Sequence, residues 1–193
     1  MNHFADYKED LREALRALRD GGIILYPTDT IWGIGCDAGN EEAVQRIFQL
    51  KKREDSKSML MLIDHEGRLE SYVDIVPEIA WQLIDVADNP LTIIYPGVKN
   101  IAPTLIAKDG SAGFRITKEP FNQELIKALK KPLVSTSANI SGEPSPQNFD
   151  EISEGIREGV DYVVQYRQDD ITRYKPSSII KLGTGGEIKI LRK

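Results

Sequence analysis

Four short stretches of this chain carry side chains that could do chemistry, and each stands where an apolar run ends or is interrupted. Pro27-Thr28-Asp29-Thr30 follows Gly22-Ile23-Ile24-Leu25-Tyr26. Lys51-Lys52-Arg53 follows a segment with Val44, Ile47 and Phe48 at helical spacing. Arg115 interrupts Ala112-Gly113-Phe114-Arg115-Ile116, and Ser135-Thr136-Ser137-Ala138-Asn139 follows Pro132-Leu133-Val134. Ligand-binding groups collect at such element ends. Phosphate oxygens only accept hydrogen bonds, so two or three cations with hydroxyl and amide donors suit a polyphosphate. Lysine offers it a point charge and arginine a planar fork. With two histidines, His3 and His65, and one cysteine, Cys36, a nucleophile with a base partner is scarce. The set fits chemistry done by positioning and charge stabilisation, which is the chemistry of phosphoryl and nucleotidyl transfer.

Each stretch also has a purely structural reading. Cations in a last helical turn complement the macrodipole, and Lys52 is assigned to that. Thr-Asp and Ser-Asn clusters after strands make turns and caps, and Asp29 is read as shaping its loop. An arginine in a strand can face solvent. It is the four together that point to a site.

Alternating strands and helices must position them. Tyr7, Leu11, Leu15 and Leu18 predict a first helix, with Asp6 and Glu9 as a capping box and Gly21-Gly22 as its stop. A strand through Tyr26 comes next, then a helix from about Asn40 to Lys51 and a buried strand over Met59–Ile63. Residues 64–88 read as helical in two pieces broken before Pro77. Strands follow at Leu91–Tyr95 and Ala112–Ile116, a helix over Phe121–Lys130, and an extended segment over Pro132–Thr136. Ser141–Pro146 is loop, Phe149–Arg157 a short helix, and further strands lie near Tyr162, Ile179 and Ile188. This order implies an α/β layered fold with a mixed sheet, since some connections are too short for crossovers.

At 193 residues the chain suits one domain, 1–193. No apolar stretch reaches the roughly 20 residues of a membrane span, so no membrane partner is expected. The amphipathic start does not read as a signal peptide, and the single cysteine fits a reducing cytoplasm. A net charge of −5 argues against coating nucleic acid by bulk electrostatics, although Lys51, Lys52, Arg53 and Lys57 form a local basic patch. The Walker pattern, zinc-ligand spacings, HExxH and GxSxG are absent, and Gly33-Ile34-Gly35-Cys36-Asp37-Ala38-Gly39 is one residue too long for GxGxxG.

The order LYPTDTIWGIG, LKKR, GFRI, PLVSTSANISGEPSP and KPSSII resembles the YrdC-like superfamily, whose best-understood members are threonylcarbamoyl-AMP synthases. The resemblance runs from about Ala14 to Leu182. It implies an open, twisted mixed sheet flanked by helices, with a concave, positively charged cavity. It also implies a reaction: threonine and bicarbonate give N-carboxythreonine, whose carbamate attacks the α-phosphate of ATP and releases pyrophosphate. The product, threonylcarbamoyl-AMP, would pass to a downstream threonylcarbamoyl-transferase complex that modifies tRNA.

By position, Lys51 and Arg53 match the family's Lys-x-Arg, and Ser137 and Asn139 its Ser-x-Asn. These four are the implied catalytic set, holding ATP phosphates and the carbamate. Thr28 and Thr30 would recognise threonine. Arg115 would contact phosphate or the threonine carboxylate, and Ser135 and Ser177 join the ATP-binding set. Mg2+ would be held through ATP phosphates and water, with no protein ligands of its own. The chain departs from the family at Lys57-Ser58-Met59, where many relatives have Lys-Pro-Leu, and at Leu62, where some have histidine. It also carries Thr117 in place of proline and Trp32 in place of tyrosine. The alternative within the same fold is a non-catalytic paralogue binding double-stranded RNA or tRNA in the cavity.

Overall fold

In the computed structural model, residues 7–52 and 59–193 are described. Asp6, Arg53, Lys57 and Ser58 therefore lie outside the described residues. The first helix, α1 (Lys8–Arg19), begins at Tyr7 without a side-chain cap and buries Asp10, Ala14 and Leu18, with Leu11 and Leu15 half-buried. After Gly21, in the left-handed region at φ +80°, the chain enters β1 (Ile24–Tyr26). It then returns as β2 (Gly33–Gly35), which pairs antiparallel to β1 with Ile24 opposite Gly35. The sequence pattern did not mark β2 as a strand, because glycine is a poor strand former.

Asn40 caps α2 (Glu41–Leu50) through its Oδ1 and the Ala43 amide, 3.1 Å. Next come β3 (Leu60–Ile63), the one-turn α3 (Leu69–Tyr72), α4 (Glu78–Asp85), β4 (Leu91–Tyr95) and β5 (Ala112–Ile116). Then follow α5 (Pro120–Leu129), β6 (Leu133–Ser137), α6 (Glu154–Glu158), β7 (Tyr162–Val163), β8 (Ser178–Leu182) and β9 (Ile188–Arg192). The last helix is shorter than its sequence pattern suggests. Phe149 and Ile152 precede it in a turn and pack against the core without being helical.

Among the described residues the strands form one nine-stranded sheet in the order β7-β1-β2-β6-β3-β5-β4-β8-β9. It is mixed, as expected: β1–β7, β3–β5 and β4–β8 are parallel, and the remaining neighbours antiparallel.

Alternation along the strands splits the sheet into two unlike faces. One face points Leu25, Ile34, Met61, Ile93, Phe114 and Val134 into the main core, where α2 adds Val44, Ile47 and Phe48. The other face changes character along its width. Over β1, β3 and the start of β6 it carries Ile24, Tyr26, Leu62 and Leu133, covered by α1 and by Phe121, Leu125 and Ile126 of α5. Each such buried side chain stabilises the packing by about 1.5–3 kcal/mol. Farther across, the same face carries Gly33, Ser135, Ser137, Gly113, Thr92 and Ser177. Small and polar residues stand there among Leu60, Ile94, Arg115 and Ile179, and the layer above the sheet is missing.

Candidate functional site

That missing layer is a cavity of about 250 Å³ open to solvent. Its floor is the small-residue face of β2, β6, β5 and β4, and the polar stretches of the sequence meet on it. Of the sequence-predicted residues, Thr30, Arg115, Ser135, Ser137 and Ser177 line it. Thr28, Lys51 and Asn139 stand behind its wall, and Arg53 lies outside the described residues.

Thr28 and Thr30 form a hydrogen-bonded turn at the end of β1. The Thr28 hydroxyl donates to the Ile31 carbonyl (2.7 Å) and accepts from the Thr30 amide (3.0 Å). Its oxygen also lies 2.9 Å from Thr30 Oγ1. The single Thr28 proton is committed to Ile31, so the bond between the two hydroxyls runs from Thr30 to Thr28. Thr30 lines the cavity, and with its proton given to Thr28 its Oγ1 can only accept from a ligand there. Thr28 is the residue that sets this polarity and offers the cavity no hydroxyl of its own.

Arg115 stands 3% exposed on β5, next to the cavity and not facing bulk solvent. Its Nη2 lies 3.0 Å from Asp29 Oδ1, and the other Asp29 oxygen accepts from the Lys118 amide at 3.1 Å. Asp29 therefore ties its loop to β5 and to the segment after it, and holds the guanidinium in place. Arg115 Nε is buried without a hydrogen-bond partner among the described residues, and an anionic ligand in the cavity would satisfy it.

Lys51 is 1% exposed, at the C-terminal end of α2. Its ammonium donates to the carbonyl of Ser137 and to that of Asn139 (2.5 Å). Its own carbonyl accepts from the Ser141 amide at 2.8 Å. Lys51 therefore locks the Ser137–Ser141 segment to α2. The Asn139 amide group donates to the carbonyls of Ile140 (3.0 Å) and Glu143 (2.7 Å), while its Oδ1 is buried and unpaired among the described residues.

The sequence reading missed Thr92, Ser145 and Arg192 among the polar residues of the cavity. Ser145 lines it from the loop after β6, and Arg192 does so from β9. Opposite β8, Ile180 pairs with Ile190 and Ile179 with Arg192, so Leu191 is an inserted residue. This bulge turns Arg192 inward. Its Nε donates to the Ser177 carbonyl at 2.7 Å and its Nη2 to Ser177 Oγ at 3.3 Å, while Thr92 Oγ1 lies 2.8 Å from the same hydroxyl. Arg192 remains partly open to solvent at the cavity edge, and its partial burial, then the neighbouring Arg115 charge, lower its pKa. Two arginines are thus close enough to repel, and no carboxylate side chain lines the cavity among the described residues. An anion bridging the guanidiniums would relieve the repulsion.

Of the sequence departures, Trp32 lines the cavity and packs on Phe149 at 4.9 Å between centroids, with the Arg157 guanidinium 4.8 Å over that ring. Leu62 is buried under α1 and α5, and Leu60, two residues earlier on the same strand face, is the one that lines the cavity. Among the described residues no group of three or more His, Cys, Asp or Glu stands together. No helix of the described residues is long and apolar enough to cross a membrane.

Comparison with known proteins agrees with this geometry. Residues 16–193 match the family model Sua5_yciO_yrdC, described as telomere recombination. A putative threonylcarbamoyl-AMP synthase of Methanocaldococcus jannaschii is 37% identical, over 91% of this chain and 83% of its own length. The threonylcarbamoyl-AMP synthase of Vibrio campbellii is 32% identical, over 89% and 93%. Among solved structures, P. abyssi Sua5 complexed with L-threonine superposes with a TM-score of 0.83 at 26% identity, covering 95% of this chain and 54% of that one. The chain thus spans about half the length of that Sua5. E. coli YciO superposes with a TM-score of 0.83 at 25% identity, covering 96% and 89%. The cavity, the motifs that line it and these likenesses have one explanation: the chain belongs to the Sua5/YciO/YrdC family.

Proposed function

We propose that this protein is an L-threonylcarbamoyladenylate synthase, making threonylcarbamoyl-AMP and pyrophosphate from L-threonine, bicarbonate and ATP. The observation that carries the reading is the polarity of the cavity. One wall presents two guanidiniums and several hydroxyls, which suit a triphosphate and a carbamate. The other presents Thr30 Oγ1 as a hydrogen-bond acceptor, which suits a substrate hydroxyl that must be told from hydrogen.

In this reading threonine lies against Thr30 with its carboxylate toward Arg115, and the phosphates extend toward Arg192, Ser177 and Ser137. Its N-carboxylated amine attacks the α-phosphorus through a carbamate oxygen, and the bond to the β-phosphate oxygen breaks. Attacking and attacked groups are both anionic, so fixed cations lower the repulsion between them and stabilise charge on the departing pyrophosphate. Lys51 supports the step by holding the Ser137–Asn139 backbone in place. ATP would enter as its Mg2+ complex, since the hydroxyls and guanidiniums on the wall match phosphate oxygens and not a bare cation. The product would be consumed by a threonylcarbamoyl-transferase acting on tRNA.

The test is incubation with ATP, Mg2+, bicarbonate and labelled threonine, assayed for pyrophosphate and labelled threonylcarbamoyl-AMP. Threonine-dependent release that is lost in Ser137→Ala supports the reading. Tight binding of double-stranded RNA without any turnover would replace it with the non-catalytic alternative.

A further inference from the structure

We infer that Arg167 is a positioning residue for the amino-acid side of the cavity: it braces the Thr28–Thr30 turn from behind and joins to it the segment that supplies Ser177. The inference rests on the reading of that side as the threonine site.

The first sign is backbone conformation. Arg167 has φ +64°, in the left-handed region where a residue with a Cβ is disfavoured by about 1–2 kcal/mol. Glycine would take this conformation freely. An arginine here needs its side chain to offset the strain, and the contacts show how. Nη1 donates to the Thr28 carbonyl at 3.1 Å and to Glu119 Oε2 at 2.6 Å. Nε and Nη2 donate to Asp170 Oδ2 at 3.2 and 3.0 Å, and the guanidinium lies 5.0 Å from the Tyr174 ring centroid. The side chain is 17% exposed, so these bonds form with little competition from water.

The second sign is what the fork connects. Thr28 is the residue whose hydroxyl fixes the direction of the Thr30 hydroxyl. The carbonyl before it, on Pro27, accepts from Asn122 Nδ2 of α5 at 3.1 Å, so two successive carbonyls are held from below. Asp170 and Tyr174 belong, with Arg167 itself, to the irregular segment from 164 to 177. That segment leaves β7 at one edge of the sheet, reaches β8 near the other, and meets the cavity at Pro176 and Ser177. Arg167 is therefore the joint between two walls of one cavity. A planar fork can hold a carbonyl and two carboxylates at once, and a lysine ammonium in its place cannot keep that geometry.

The test uses the full chain with Arg167→Gly, which accommodates the backbone and removes the fork, and Arg167→Lys, which keeps the charge beside Glu119. Two readouts are taken: KM for threonine and for ATP, and amide exchange across residues 27–31 and 165–177. In Arg167→Gly the KM for threonine rises about tenfold or more, as displacement of a substrate-facing group implies, while that for ATP rises by a smaller factor through the loosened Ser177 segment. Exchange of the Thr30 amide accelerates about tenfold, with the β3 and β5 amides unchanged. Arg167→Lys falls between the two proteins, and it carries the test if the glycine variant does not fold. Equal rises in both KM values, or unaltered protection of the Thr30 amide, would overturn the inference. Absence of threonine-dependent turnover in the unsubstituted protein defeats the proposed function alone, and the exchange data then decide whether the brace exists.

Discussion

Thr30 donates its hydroxyl proton to Thr28 across 2.9 Å, because Thr28 has already given its own to the carbonyl of Ile31. A pair of neighbouring threonines thus works as one acceptor directed into the cavity. Thr30→Val keeps the volume and removes that acceptor. The expected result is a rise of about tenfold or more in KM for threonine, with the KM for ATP little changed. Initial-rate kinetics with each substrate varied in turn check this; equal changes in both constants would assign Thr30 to the turn alone.

Lys51 binds the backbone, and its loss should register in stability as well as turnover. Lys51→Met keeps most of the apolar stem and deletes the ammonium, leaving the carbonyls of Ser137 and Asn139 without that donor. The Ser137 carbonyl keeps the Asn139 amide as a donor at 2.9 Å, so the Asn139 carbonyl is the one left short of a donor, at a cost of about 1–3 kcal/mol. Urea denaturation should show a loss of that order, and pyrophosphate release should fall with it. A variant with full stability and no turnover would instead place the ammonium on substrate.

Arg192 provides the second guanidinium of the cavity and holds Ser177. Arg192→Gln retains some hydrogen bonding and removes the charge. A charge-assisted hydrogen bond contributes about 1.5–3 kcal/mol, so ATP affinity should weaken about tenfold or more. Calorimetric titration with a non-hydrolysable ATP analogue measures it. Unchanged affinity would limit Arg192 to a structural role on β9.

Asp170 predicts a pH dependence. Burial raises its pKa, but hydrogen bonds from Thr172, Arg167 and Tyr174 outweigh this and hold the carboxyl at about 2, against an ordinary 3.8. The folded chain therefore takes up this proton at lower pH than the unfolded chain. The stabilisation is full above pH about 4 and is lost as pH falls through about 2, on the order of 2 kcal/mol. Asp170→Asn should shrink the difference in unfolding free energy between pH 6 and pH 2.5 by a large part of that amount. If the variant keeps the full difference, other carboxylates carry the acid sensitivity.

The parts of this protein written in local pattern were legible before the structure. The α2 stripe of Val44, Ile47 and Phe48 is the buried face of its helix, and the apolar runs at Leu91–Tyr95 and Ala112–Ile116 are strands. What local pattern does not contain is partnership. Gly33-Ile34-Gly35 has no strand propensity and becomes β2 because β1 and β6 flank it. Gly35 is required there: a methyl group would overlap the Val134 carbonyl and approach the Tyr26 ring at 2.8 Å. Thr28 and Thr30 look equivalent in sequence, and only the position of the Ile31 carbonyl separates acceptor from support. Arg192 was invisible because its direction depends on a skipped residue in pairing with a strand ten positions away.

The inserted residue in β9 has a practical side. Arg192, turned inward, lines the cavity, and the residue after it, Lys193, is exposed. A purification tag or fusion partner attached after Lys193 would start one residue from a wall of the site, with a flexible, often charged tail free to enter it. A handle placed away from Lys193 keeps assays of this protein clear of that interference.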